Sequence, residues 1–213
     1  MATQAPARTS LPTAAELAVL GEIERRVLWL ATRIVDHANR ERRSSDPLKV
    51  GGHQASSASM VSMMTALWFW DMDADDRVSV KPHASPVLHA ISYLLGRLEQ
   101  PQVKTLCEFG GLQAYPSRTK DPFPVDYSTG SVGLGAAAPL FGALAARYVE
   151  AHFGLPRRGR FISLLGDAEL DEGNVWEAIL DPATQGLGEA VWLVDLNRQS
   201  LDRVVPVIKA GGL

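Results

Sequence analysis

Two polar residues stand where apolar runs end, the place at which parallel-sheet proteins do their ligand chemistry. Residues 161–165 form an apolar run closed by Gly166 and Asp167, and residues 190–196 form a second run closed by Asn197. An Asp carboxylate and an Asn carbonyl oxygen are hard ligands of the kind magnesium takes, one or two at a time, together with phosphate oxygens. Gly166 lets backbone approach a phosphate closely, and a helix that follows directs its N-terminal N–H groups and partial positive charge the same way. The physical reading is a magnesium-bridged diphosphate. For Gly-Asp taken alone, a plain turn after a strand is the stronger reading.

Such residues need elements that bring two strand ends together. The two apolar runs read as buried strands, and a helix is predicted between them at Gly173–Leu180. Strand, helix, strand is a parallel βαβ unit, whose right-handed crossover sets the strands close together. Upstream, Gly130-Ser131-Val132-Gly133-Leu134-Gly135 leads into an Ala-rich helix reaching about residue 152. Residues 77–81 read as a short strand stopped by Pro82, with helices expected over 86–98 and 101–109. Residues 110–129 carry three prolines and two glycines without periodicity and read as a long loop, a length that is often functional. A helix over 57–70 puts Met60, Met63, Met64, Leu67, Trp68 and Trp70 in the core. Thr13 and Glu16 have capping-box spacing, opening a helix over 14–39 that could break at Gly21. Its arginines alternate with Glu22, Glu24, Asp36 and Glu41, the pattern of a solvated face rather than a polyanion patch.

Composition narrows the function classes. The 213 residues carry 21 Lys and Arg against 24 Asp and Glu, a balance that speaks against coating nucleic acid or an anionic membrane. Hydrophobic residues at 46% indicate a globular chain, and the single Cys107 excludes an intrachain disulfide framework. No stretch approaches the roughly 18 apolar residues of a membrane span, and the first ten residues lack an apolar signal core, so a cytoplasmic location is expected. Asp71, Asp73 and Asp75 imitate a calcium loop, but Asp76 stands where that loop needs glycine and Pro82 where it needs glutamate.

Taken together, these segments resemble a known family. Gly166-Asp167-Ala168-Glu169, with Asn197 thirty residues after Asp167, is similar to the thiamine diphosphate motif of the transketolase and pyruvate dehydrogenase group. Gly51-Gly52-His53, His83-Ala84-Ser85-Pro86, Tyr115-Pro116, Ser131-Val132-Gly133-Leu134-Gly135, Leu170-Asp171-Glu172 and Asn197-Arg198-Gln199-Ser200-Leu201-Asp202 follow in the family's order. The resemblance covers residues 51–205 and comes closest to the homodimeric pyruvate dehydrogenase decarboxylating component, with transketolase more distant.

The resemblance implies an α/β, thiamine diphosphate-binding fold, a parallel sheet flanked by helices and incomplete at its C-terminus. Residues 1–12 would be a flexible tail, 13–50 an N-terminal helical segment and 51–213 the diphosphate-binding domain. The cofactors implied are thiamine diphosphate and Mg2+. Asp167 and Asn197 would bind the metal through side chains and Gln199 through its backbone carbonyl. Gly166, Ala168 and Glu169 would meet the diphosphate through backbone groups. Gly130, Ser131 and Val132 would line the cofactor, with Gly130 and Val132 bonded to its aminopyrimidine ring. His53 and His83 would flank the diphosphate and the reactive carbon, supplying hydrogen bonds or protons. Structural loop histidines are the alternative for both, whereas His37, His89 and His152 read as structural. Glu172 matches a carboxylate at the family's dimer interface, near the route between paired active sites, which would make it catalytic with His53 and His83; it equally suits a helix-dipole residue. Ala168 departs from the motif's usual glycine.

The activity implied is oxidative decarboxylation of pyruvate or a related 2-oxo acid, with ketol transfer on a ketose as the alternative. Family members extend past the position of Leu213, and a separate pyrimidine-binding domain carries the glutamate that drives ylid formation. This chain is therefore expected to be inactive alone, whether it works as a homodimer, with a partner chain, or as a non-catalytic fragment.

Overall fold

The computed structural model describes residues 11–42, 51–156, 159–200 and 203–204. Expectations for residues 1–10 and 205–213 fall outside the described residues. The chain divides into two compact units. One holds Met72–Lys81 and the described residues from Asp126 onward; the other holds the described residues of Ser10–Asp71 with Pro82–Val125.

The first unit is built on a parallel sheet of β1 (Arg77–Ser79), β2 (Phe161–Gly166) and β3 (Ala190–Asp195), with β2 central. The β2–β3 register runs from Phe161 opposite Ala190 to Gly166 opposite Asp195. α6 (Leu134–Phe153) and α7 (Gly173–Leu180) pack on this sheet. Alternate β2 residues Phe161 and Leu165 meet small residues of α6, Ala143 and Ala136, with Val175 and Ala178 of α7 completing the core beside Trp192. The alanines allow close approach of helix to sheet, which is why the Ala-rich stretch after Gly135 forms this helix. The expected parallel βαβ unit is present, and the α/β class holds. A two-residue antiparallel pair, β4 (Gln199–Ser200) and β5 (Arg203–Val204), follows β3.

β1 enters the sheet through Asp76, whose side chain is 1% exposed and ion-paired to Arg160 at 2.6 Å. Asp76 also accepts from the backbone N–H groups of Arg160 (2.6 Å) and Asp73 (3.1 Å). The Asp76 carboxyl is pushed up by burial, but the bonds from Arg160 outweigh this and hold it below its ordinary value. Asp126 takes the Val78 N–H at 3.0 Å, serving a backbone donor of β1.

In the second unit, α1 (Ala14–Asp36) opens with the expected capping box: Glu16 N–H donates to Thr13 Oγ1 and Thr13 N–H to Glu16 Oε2. The helix runs unbroken through Gly21, buries Val27, Ala31, Ile34 and Val35, and continues into a π-helical turn at His37–Glu41. Arg25 and Arg26 pair with Glu22, and Arg33 and Arg40 with Asp36, so the arginines do form a self-paired face. The single helix expected over 57–70 is instead α2 (Gln54–Ala58), α3 (Val61–Ala66) and a π-helical turn at Leu67–Asp71. The break at Ser59 and Met60 leaves Met60 and Met64 fully buried. α4 (Ser85–Leu94) and α5 (Gln100–Val103) are shorter than expected. Gly96 at φ 70° turns the chain out of α4, and the 3.2 Å bond from Leu112 N–H to Thr105 Oγ1 reverses it soon after α5.

The long loop after Gly110 is tied to α4. Buried His89 bonds the Gln113 carbonyl at 2.9 Å through Nε2 and sets its ring edge-to-face against Phe123. Ser85 Oγ donates to the Ala114 carbonyl at 2.7 Å. Burial pulls the His89 pKa below its ordinary value, against the Gln113 carbonyl and Asp121, which favour the charged ring.

Asp76→Ala should destabilise the chain by about 3 kcal/mol or more, because it strands a partly buried guanidinium and backbone donors together; urea unfolding measures it. The depressed His89 pKa means that the unfolded chain takes up a proton, near pH 6.5, before the folded one does. His89 therefore contributes stability that is present above that pH and lost as pH falls below it. His89→Gln, which cannot titrate, should flatten that part of the stability profile between pH 7 and 5.

Candidate functional site

The β2–β3 register brings the ends of both strands level. β2 runs into a 3-10 turn at Asp167–Asp171 ahead of α7, while β3 is followed by Leu196, Asn197 and Arg198. Asp167 is 1% exposed. Its Oδ2 accepts from the Arg198 N–H at 2.8 Å and its Oδ1 from the Ala168 N–H at 3.0 Å. Arg198 adopts φ 55°, uncommon for a residue with a Cβ, and this turn points its N–H at Asp167. Asp167 and Asn197, predicted as a pair, thus lie on segments held together by a hydrogen bond.

Asn197 Nδ2 donates to Asp195 Oδ2 at 2.9 Å, and the same oxygen takes Lys81 Nζ at 2.9 Å. Both ionic side chains are buried, 6% exposed for Lys81 and 9% for Asp195. Sequence reasoning missed this pair. The available signal was a charged residue at the tail of two expected strands, Lys81 after Val80 and Asp195 after Val194.

Glu169 is expected to offer its backbone, yet its side chain already performs a structural task. Oε1 accepts from the Gly166 N–H at 3.1 Å and Oε2 from the Gly133 N–H at 3.3 Å, tying the glycine-rich segment to the end of β2. Burial raises the Glu169 pKa, opposed by those two N–H groups and by Lys81. Gly133, at φ 82°, caps α6, and a Cβ there would meet Asn174 Oδ1 at 2.3 Å, so only glycine suits it. Gly130 is half-buried, while Ser131 and Val132 are exposed beside it. The N–H groups of Gly166 and Ala168 both have acceptors within the chain. Glu172 is exposed and caps α7, receiving the Val175 N–H on its carbonyl at 3.2 Å.

His53 and His83 belong to the second unit, where their half-buried rings meet edge-to-face at 5.7 Å. Tyr115 joins them, its ring 6.5 Å from His83. Gly51 places His53: a Cβ there would lie 2.8 Å from both Ala38 Cβ and Asn39 Oδ1, and its N–H donates to Asn39 Oδ1 at 2.7 Å. His83 sits in a 3-10 turn at Pro82–Ala84 just before α4.

The donor set at the strand ends suits a hard cation. A carboxylate offers about four lone-pair sites, and Asp167 accepts two backbone bonds. Among the described residues no three His, Cys, Asp or Glu side chains converge as a metal cluster. A cation here would draw on a mixed set of carboxylate, carboxamide and backbone oxygens, of the type magnesium accepts.

The fold matches part of the transketolase fold. It resembles transketolase from Leishmania mexicana with a TM-score of 0.70 at 21% identity, over 82% of this chain and 27% of that one. Transketolase from Campylobacter jejuni gives 0.71 at 21% identity, over 86% and 29%. A family model described as the transketolase thiamine diphosphate binding domain matches residues 51–210, and the chain belongs to that family. It is 31% identical over 192 residues to transketolase-like protein 2 of Bos taurus, covering 84% of this chain and 28% of that protein. It is 30% identical over 196 residues to the pyruvate dehydrogenase E1 component of Escherichia coli K12, covering 85% and 21%. The chain thus spans about a quarter of the length of the relatives it matches. No helix among the described residues is long and apolar enough to cross a membrane.

Glu169→Ala would leave the Gly133 and Gly166 donors without their acceptor. A loss of about 2 kcal/mol or more is expected by urea unfolding, with faster amide exchange at Gly133. Unchanged exchange there would show that Glu169 does not hold the glycine-rich segment.

Proposed function

We propose that this chain binds thiamine diphosphate through Mg2+ and forms the diphosphate-holding part of an enzyme acting on a 2-oxo acid, pyruvate first. The observation that carries the reading is the 2.8 Å bond from Arg198 N–H to Asp167, which joins the two ligand-bearing segments at the strand ends. Asp167 supplies an anionic ligand, Asn197 a neutral carbonyl oxygen and Gln199 its backbone carbonyl. Glu169 ties Gly133 to the end of β2, and in the residues just before it Gly130, Ser131 and Val132 line the cofactor, Gly130 and Val132 offering main-chain groups to an aminopyrimidine. His53 and His83 supply hydrogen bonds or protons to the reacting end of the cofactor. Glu172, exposed at the start of α7, faces outward for a second copy or a partner chain.

When bound, thiamine diphosphate supplies the electron sink for cleaving a bond next to a carbonyl. The residues of this chain bind and orient it. Relatives named transketolase and pyruvate dehydrogenase match at similar identity, so ketol transfer on a ketose is the second reading. Either activity is proposed for the assembly in which the chain takes part, in the cytoplasm.

Calorimetry on the full chain tests the binding. Thiamine diphosphate should bind only with Mg2+ present. Asp167→Ala should weaken it about tenfold or more, equivalent to about 1.4 kcal/mol, and Asn197→Ala by less, since the ligand lost is neutral. Equal, metal-independent binding by all three proteins would overturn the reading.

A further inference from the structure

We infer that Asp195, anchored by Lys81, is a positioning residue that presents the Asn197 carboxamide oxygen to the cation. The inference rests on the magnesium–diphosphate reading of the site and adds two residues that the sequence pattern did not single out.

A carboxamide has two arms of opposite character, an NH2 that only donates and an oxygen that only accepts. Unconstrained, it can present either arm to a cation, and the NH2 arm repels one. In this structure Nδ2 donates to Asp195 Oδ2 at 2.9 Å, which commits the nitrogen arm to Asp195 and sets Oδ1 on the opposite branch. Asp195 Oδ2 accepts from the amide nitrogen, and that contact selects one amide orientation.

Lys81 makes that selection durable. The bond from Nζ fixes where the Asp195 carboxylate sits, and so where the Asn197 amide is held. The ammonium of Lys81, 2.9 Å from the same Oδ2, supplies the compensating charge from the other end of the chain segment, 114 residues away in sequence. Both side chains are buried, so solvent screens the pair little. Asp195 thereby acts through Asn197, as outer-shell partners of metal ligands do.

A double-mutant cycle on the full chain, read by Mn2+ affinity in the presence of thiamine diphosphate, separates the possibilities. Asp195→Ala should lower Mn2+ affinity about 10–100-fold, the range for outer-shell partners. The Asn197→Ala, Asp195→Ala double variant should bind no more weakly than Asn197→Ala alone, because Asp195 has nothing left to orient. Asp195→Ala strands the Lys81 ammonium, so Lys81→Met with Asp195→Ala provides a charge-neutral second route, with melting temperature recorded for each protein. That pair should lose Mn2+ affinity to a similar extent.

Wild-type affinity in both Asp195 variants would overturn the inference, and so would additive losses in the double variant, which would make Asp195 an independent ligand. Failure of the wild type to bind Mn2+ with thiamine diphosphate would overturn the underlying functional reading and the inference with it.

Discussion

The register that sets Gly166 opposite Asp195 is the constraint on which the rest of the site depends. Parallel strands that end level deliver both following segments to one edge, and here those segments are the acidic turn Asp167–Asp171 and the stretch Leu196 to Arg198. A shift by one residue would exchange the faces of every β3 side chain, burying Asp195 elsewhere and turning Trp192 away from α6 and α7. Once the ends are level, the Asp167 carboxylate can accept the Arg198 N–H, and the chain beyond β3 is held against the chain beyond β2. The unusual φ of Arg198 follows from that requirement.

Buried carboxylates at the two ends of this sheet are stabilised by different means. Asp76 relies on a guanidinium and backbone donors, Asp195 on an ammonium and a carboxamide, Asp167 and Glu169 on backbone N–H groups. An unpaired charge in such surroundings would shed its ionisation or unfold the segment. Each carboxylate therefore also defines a piece of backbone: Asp76 the start of β1, Glu169 the approach to α6, Asp167 the exit of β3. Architecture and ligand chemistry draw on the same groups, so changes at these positions act on both.

The histidines obey a different logic. His53 follows a glycine pair with no room for a Cβ at Gly51, and Asn39 clips that turn from the π-helical turn after α1. His83 precedes α4, whose own His89 is buried and bonded to the long loop. Two of these rings are half-buried and grouped with Tyr115, while the third is sealed in the core. Spacing near glycine and proline, set against placement in mid-helix, distinguishes the two kinds in sequence.

What the sequence by itself determined was local and periodic: the capping box at Thr13, the buried strands, helix Gly173–Leu180, the long loop after Gly110, and the positions of Asp167 and Asn197 at strand ends. Helix lengths were less legible. The breaks at Ser59 and after Leu94 depend on which side chains must enter the core and on Gly96 adopting a positive φ. Tertiary structure alone decided how the carboxylates are used. The Glu169 side chain bonds Gly133 across 36 residues, and Lys81 meets Asp195 across 114. Such pairings carry no periodicity, because they arise only when strands distant in sequence end side by side and a buried charge must find its partner there.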